Sequence, residues 1–341
     1  VVRVGDDGSV LGPIVPPPVG GRDVIAEALF LDAGALRSST DGDAVAFAVP
    51  LESLGAIGVG DRFSIKAIVD EAGTTDVAPA DGRGAVQVPD ISNVEVLFSE
   101  IDPTGDDFGP GTYTYPTDTV FTPGSFDLTG FSVGLSGEEL VFEFTVGSPI
   151  ANPWDSPVGL SIQTFDVYVD TDGVADSGAR TLIDGRNAAI AAPGGWERAL
   201  TVEGWEPALF TATSDADVNE TLPTMTTLVF GDEGRVVVRM SRDLFGEGDP
   251  SSWGYAVAVM SQEGFPSSGV RRIRDVESAA QQWRIGGGDG SINGTRILDI
   301  LWPVEGEQEA MLTPATPIAS GNIDDLTPDD FPQLGLNVSA P

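Results

Sequence analysis

Short apolar runs rich in Val, Ile and Phe recur along the chain, each closed by turn residues. Leu140–Val146, Ile162–Val169, Leu228–Phe230, Val236–Met240 and Tyr255–Met260 are the clearest. Runs of this length between Gly, Pro and Asp clusters predict antiparallel strands of a two-sheet sandwich. Helix is expected to be scarce, with the clearest candidate at Asp275–Trp283, where Asp275 is the candidate N-cap of VESAAQQW. No apolar run approaches the roughly 18 residues that a membrane helix needs, so direct membrane insertion is not expected. The expected fold class is all-β, an antiparallel β-sandwich preceded by a smaller β domain.

One pattern repeats. Residues 45–73 (VAFAVPLESLGAIGVGDRFSIKAIVDEAG) align without a gap to residues 236–264 (VVVRMSRDLFGEGDPSSWGYAVAVMSQEG). Each copy reads as a strand, a short helical turn (Leu51–Leu54; Arg242–Phe245), a Gly-rich loop and a second strand, taken together as a hairpin. Far fewer residues precede the first copy than separate the second from its domain start. Residues 1–92 therefore resemble the C-terminal half of a similar sandwich. Pro16-Pro17-Pro18 and one expected strand, Val24–Leu31, do not supply the missing half. A half sandwich exposes strand edges that invite another chain. Three readings stay open: a fragment, a half domain completed by a neighbour, or a small independent β domain. The boundary is expected near Pro89–Asn93, giving a main domain over 93–314 and a Pro/Asp-rich tail over 315–341, expected to be an extended arm or linker.

Charge and composition narrow the function. Of the 341 residues, 53 are acidic and 17 basic, a net charge of −36, and hydrophobic residues make up 41%. The apolar share suffices for a core. The charge repels nucleic acid and anionic membranes, so no nucleic-acid partner is expected. Lys66 is the only lysine. A compact state this acidic calls for salt or bound cations. The absence of His and Cys removes Ser-His-Asp and Cys-His catalysis, the usual zinc sites and disulfides. Carboxylate-pair hydrolysis is the main enzymatic option left. The chain starts at Val1 without a charged-then-apolar leader pattern and reads as a mature or trimmed chain.

The most specific stretch is DPTGDDFGPGTYTYPTD (Asp102–Asp118). With FDLTGF (Phe126–Phe131), NPWDSP (Asn152–Pro157), SIQTFDVYVDTD (Ser161–Asp172), GRN (Gly185–Asn187), VEGW (Val202–Trp205), Val257–Gly288 and ILDILWP (Ile297–Pro303), it resembles the C-terminal module of glucodextranase. That family also occurs at the ends of amylopullulanases and in prokaryotic surface proteins. The resemblance runs over about residues 94–314. It implies a jelly-roll-like β-sandwich related to DOMON and family-9-type carbohydrate-binding modules, acting in binding or surface attachment rather than catalysis.

Two Asp clusters fit a hard cation, which takes six to eight oxygen ligands. Asp102, Asp106 and Asp107 share a Gly/Pro loop whose carbonyls can turn inward, and Asp127 could close the same site. Asp170, Asp172 and Asp176 alternate in DTDGVAD, like the start of a calcium loop but without its closing Glu. Calcium is the expected ligand at both; the bland alternative is solvated turn Asp. Candidate sugar platforms are Trp196, Trp205, Tyr113 and Tyr115, beside Gly-rich turns, although aromatics of this kind more often fill a core. Trp154 and Trp302 read as core anchors. Gly286–Gly290 lacks the Lys-Ser/Thr of a phosphate loop. Arg271, Arg272 and Arg274 are expected to pair internally with acidic side chains, the alternative being a contact with an acidic neighbour. Asn219, Asn293 and Asn337 head N-glycosylation triplets.

The expected function is a non-catalytic, extracellular cell-surface protein, calcium-stabilised, binding a polysaccharide or cell-envelope glycan. The alternative is a self-assembling subunit of a surface layer or filament, with copies of itself as partners through strand exchange.

Overall fold

The computed structural model describes residues 93–265 and 271–338 in full and, within 1–92, the backbone of strands only. The chain divides into two compact units at Asn93/Val94. The first unit holds β1 (Val2–Val4), β2 (Val10–Pro13), β3 (Arg37–Asp41), β4 (Ala44–Ala48), β5 (Arg62–Ile65), β6 (Ala67–Glu71), β7 (Thr74–Ala78) and β8 (Gly84–Gln87). They form two-stranded antiparallel ladders: β1–β2, β3–β4, β5–β8 and β6–β7. Pro16–Pro18, Val24–Leu31 and Leu51–Leu54 lie outside the described residues.

The second unit is an antiparallel β-sandwich. One sheet has five strands in the order β17 (Met225–Phe230), β18 (Arg235–Ser241), β11 (Glu139–Val146), β10 (Leu128–Ser136) and β9 (Glu95–Ile101). The other runs β16 (Asp217–Thr221), β15 (Ala208–Ser214), β14 (Arg198–Val202), β12 (Gln163–Asp170), β19 (Gly254–Ser261) and β20 (Ile297–Ile300), with β22 (Asn337–Val338) also on β19. Period-two alternation explains the layering. On β19, Tyr255, Val257 and Val259 face the inter-sheet core with Phe165, Phe142 and Phe144, while Ala256, Ala258 and Met260 face a second core. The second sheet is thus covered on both sides, and β12 and β19 are buried almost throughout, β19 reading as a near-continuous apolar run.

The second core lies under the loops of residues 179–196 and the C-terminal segment, through Leu182, Ile190, Trp196, Leu312 and Leu334. Arg186, from the GRN motif, is fully buried there. It pairs with Asp166 at 2.6 Å, and Tyr168 Oη donates to the same carboxylate at 2.7 Å. Burial of such a pair is sustainable because its remaining donors are satisfied, by the carbonyls of Asp184 and Arg271.

The structure departs from expectation in three places. Asp275–Trp283 is not helical. Val276 and Ile285 bridge, Gln281 and Arg284 close a tight turn, and buried Ile273 and Ile285 pin the segment crosswise. Tertiary burial overrides the capping signal here. The 236–264 repeat is not a hairpin: β18 lies in the five-stranded sheet and β19 in the other. It crosses the sandwich through the 3-10 turn Arg242–Phe245, whose Phe245 is buried in the inter-sheet core. Finally, the Pro/Asp-rich tail returns to the sandwich. β21 (Gln333–Leu334) pairs in parallel with β13 (Ala189–Ile190), and Asn337 Nδ2 donates to Leu301 O at 2.8 Å.

Candidate metal centre

The acidic centre forms where three strand ends meet. Asp102 follows β9, Asp127 precedes β10, and Asp299 lies on β20. The loop leaving β9 adds Asp106 and Asp107. One carboxylate oxygen from each of Asp102, Asp106 and Asp299 lies within 4.8 Å of the others. Asp102, Asp107, Asp127 and Asp299 are buried.

Backbone donors hold these carboxylates in place. Asp102 Oδ1 accepts from Trp302 N at 2.6 Å, and Asp299 accepts from Leu128 N at 2.6 Å and Ile300 N at 2.9 Å. Gly105 N donates to Asp127 Oδ1 at 2.9 Å. Tyr115 Oη donates to Asp107 and itself accepts from Phe126 N. Gln308 spans the loop, donating to Asp106 O and accepting from Ile300 N. Two oxygens stay unsatisfied: Asp102 Oδ2 and Asp106 Oδ1 are both buried without a hydrogen-bond partner.

Such a cluster is electrostatically costly alone. Burial raises the Asp102 carboxyl to about 8, against the pull of the Trp302 N–H, and the like charges of Asp106 and Asp127 add to it. Burial and Asp127 bring Asp106 to about 6. Burial also raises Asp107 and Asp127, and pushes Asp299 well up with help from Asp102 and Asp106. Among the described residues no Arg or Lys forms an ion pair with any of the five. A buried polar oxygen without a partner costs about 1–3 kcal/mol, and a charged one more. An all-oxygen donor set with orphaned carboxylate atoms fits a hard divalent cation of the calcium type.

The second expected cluster assembles differently. Asp170 and Asp172 come together with Glu197 on β14's approach, while Asp176 is exposed in a left-handed turn (φ 62°) and stands apart. These carboxylates already have donors. Asp170 accepts from Gly173 N at 2.7 Å, Asp172 from Ser177 Oγ at 2.9 Å, and Glu197 from Thr171 N at 2.9 Å.

Most expected sugar platforms are interior. Trp196 is 1% exposed, with Nε1 donating to Thr181 O at 3.1 Å. Tyr113 is buried, its hydroxyl donating to Thr295 O at 2.5 Å. Tyr115 packs against the core and serves Asp107. Their Gly-rich neighbours mark close packing: a Cβ on Gly109 would strike the Tyr113 ring. Trp205 is half-buried with the Arg272 guanidinium 5.9 Å from its ring. Trp302 is half-buried, its Nε1 donating to Glu307. Trp154, expected in the core, is 39% exposed.

The Arg cluster is internally paired: Arg271 with Glu220, Arg272 with Glu206 and Glu203, Arg274 with Glu263. Of the glycosylation triplets, Asn219 is exposed on β16, whereas Asn293 and Asn337 are buried with their amides engaged. Among the described residues no helix is long and apolar enough to cross a membrane.

An antiparallel sandwich carrying a buried, all-oxygen acidic centre is the architecture of a β-sandwich module. The family model of the C-terminal binding-module, SLH-like, of glucodextranase matches residues 97–320, about two-thirds of the chain, and the chain belongs to this family. No curated protein matches it. The match spans every residue of the acidic centre.

Proposed function

We propose that this chain is a non-catalytic binding module of the cell surface, stabilised by calcium and attaching to a polysaccharide or cell-envelope glycan. Family membership supports the binding role. The observation that carries the calcium reading is the pair of orphaned, buried oxygens on Asp102 and Asp106 beside Asp299. An ion there would satisfy both and offset the mutual repulsion of the cluster. The carboxylates of Asp102, Asp127 and Asp299 are buried and accept from backbone amides, which suits holding an ion better than the acid and base exchange of hydrolysis. The test is calorimetric titration of the metal-free chain with calcium, joined to retention on immobilised polysaccharide. Binding with a raised melting temperature is expected. No heat and unchanged melting in excess chelator would defeat the calcium reading.

A second reading, self-assembly into a surface layer or filament, is favoured by one observation. Among the described residues β9 ends its sheet, with Val96 59% and Ile101 75% exposed, an edge on which a strand from another copy could pair. Light scattering separates the two: a monomer retained on glycan supports the first, and concentration-dependent polymers support the second.

A further inference from the structure

Trp154 and Trp283 come from turns far apart in sequence, yet their rings meet at 5.9 Å and 63°. They are 39% and 36% exposed, and neither belongs to the two buried core clusters. Both rest on buried Phe121, at 6.4 and 6.0 Å, which is stacked on Phe126.

The backbones beneath the two rings are tightly held. Asn152 brackets the Trp154 turn, donating to Ser156 O at 3.0 Å and accepting from Ser156 N at 2.9 Å, and Trp154 N donates to Ser161 Oγ. The Trp283 carbonyl accepts from both Arg274, at 2.7 Å, and Arg284, at 2.8 Å. Glu263 joins those two guanidinium groups at 2.8 Å each. A polar rim adjoins: Gln282 Nε2 donates to Asp118 Oδ2 at 2.9 Å, both groups being exposed, and exposed Asp155 follows Trp154.

The geometry points to a carbohydrate platform at Trp154 and Trp283, taking a neutral glycan of pyranose rings with equatorial hydroxyls. The inference rests on the binding-module reading and names its site and substrate class. A pyranose of this kind presents C–H groups on both ring faces and hydroxyls around its edge. Its faces match indole surface, and its edge matches the carboxylate and amide of Asp118 and Gln282. Two rings set at an angle fit successive units of a curved chain. Rigid anchoring removes the ordering cost that flexible aromatics would incur on binding. The net charge of −36 and the acidic rim repel anionic polymers.

The test titrates the full chain with linear α-1,4-, α-1,6- and β-1,4-linked glucose oligosaccharides, with polygalacturonate as an anionic control, and follows tryptophan fluorescence. Saturable binding of at least one neutral oligosaccharide is expected, weakened at least tenfold by Trp154→Ala and by Trp283→Ala, with both variants still folded and unfolding cooperatively. Oxidation by N-bromosuccinimide, mapped by mass spectrometry, gives a check on the unmutated protein: bound oligosaccharide should protect Trp154 and Trp283. Wild-type binding that both variants retain, or binding without protection of either ring, overturns the platform and leaves the binding-module reading standing. Preference for polygalacturonate overturns the substrate class. Failure of the wild type to bind any of the glycans overturns the glycan reading itself.

Discussion

Replacing Asp102 by Asn should change stability in opposite directions with and without calcium. The substitution keeps the acceptor for Trp302 N and converts the orphaned Oδ2 into an amide donor facing acidic neighbours. In the metal-free protein the Asp102 carboxyl is raised from 3.8 to about 8. Between those values the folded chain binds a proton that the unfolded chain has released. Stability from this group is therefore full below about pH 4 and is lost as pH rises to about 8. At 1.36 kcal/mol per pH unit the loss has a ceiling of about 6 kcal/mol, reduced by relaxation and water entry. Asp102→Asn removes that loss. In chelator the variant should gain on wild type by roughly 2 kcal/mol or more at pH 8.5 and by almost nothing at pH 4. With calcium the sign reverses. An ion at about a thousand times its Kd contributes about 4 kcal/mol, and the variant forfeits part of it with the lost ligand. Urea unfolding at fixed high salt, at both pH values, with EDTA and with calcium chloride, measures all four conditions. A variant destabilised equally with and without calcium at pH 8.5 would refute the reasoning, because Asp102 would then be neither a source of repulsion nor a ligand.

Three further outcomes are expected. Arg186→Ala strands the fully buried Asp166 carboxylate and should cost about 3–5 kcal/mol in urea unfolding; a cost under about 1 kcal/mol would mean that water reaches this layer. Asp172→Asn leaves a cluster already served by Ser177 and backbone amides, so calcium-dependent stabilisation should stay within about 0.5 kcal/mol of wild type. A calorimetric titration losing one calcium equivalent would count against that. Gly287→Ala places a Cβ 1.9 Å from Thr112 O at φ +89°, and a loss of about 2 kcal/mol or more in thermal unfolding is expected; an unchanged melting temperature would show that the two segments separate at little cost.

What the sequence made legible follows from range. Strands set by local alternation, such as Val236–Met240 and Tyr255–Met260, were readable because each run carries its own period and its own turn signals. Their partners were not, since β18 and β19 look like a hairpin until the sheets are assigned. The acidic loop was readable from Asp102, Asp106 and Asp107 standing together among Gly and Pro. Asp299 was not. It sits in ILDILWP, where one polar residue in an apolar strand signals burial without a destination, and its partners lie across the sandwich. The aromatics failed for the same reason. Trp196 and Trp154 both flank turns, and only packing decides that the first is interior and the second faces water.

The centre's place in the chain gives it weight beyond local repulsion. Trp302 and Asp102 are joined across 200 residues, and Gln308 and Asp106 across 202. Asp299 reaches the start of β10 across 171. The centre therefore gathers the first strand of the sandwich, the entry to its second, and the last inner strand with the segment after it. Closing loops of this length is where a cross-link removes most freedom from the unfolded chain. A chain without Cys has no disulfide for the task. A cation bound only in the folded state does the same work through mass action. It also supplies local counter-charge, which bulk salt cannot deliver to buried carboxylates. On this argument calcium removal should first loosen the segment from Trp302 to Leu312, whose anchors are Asp102 and Asp106. Hydrogen exchange of the Trp302 amide should then rise before that of the β12 and β19 interior, and uniform loss of protection across both would mean that the centre is no staple.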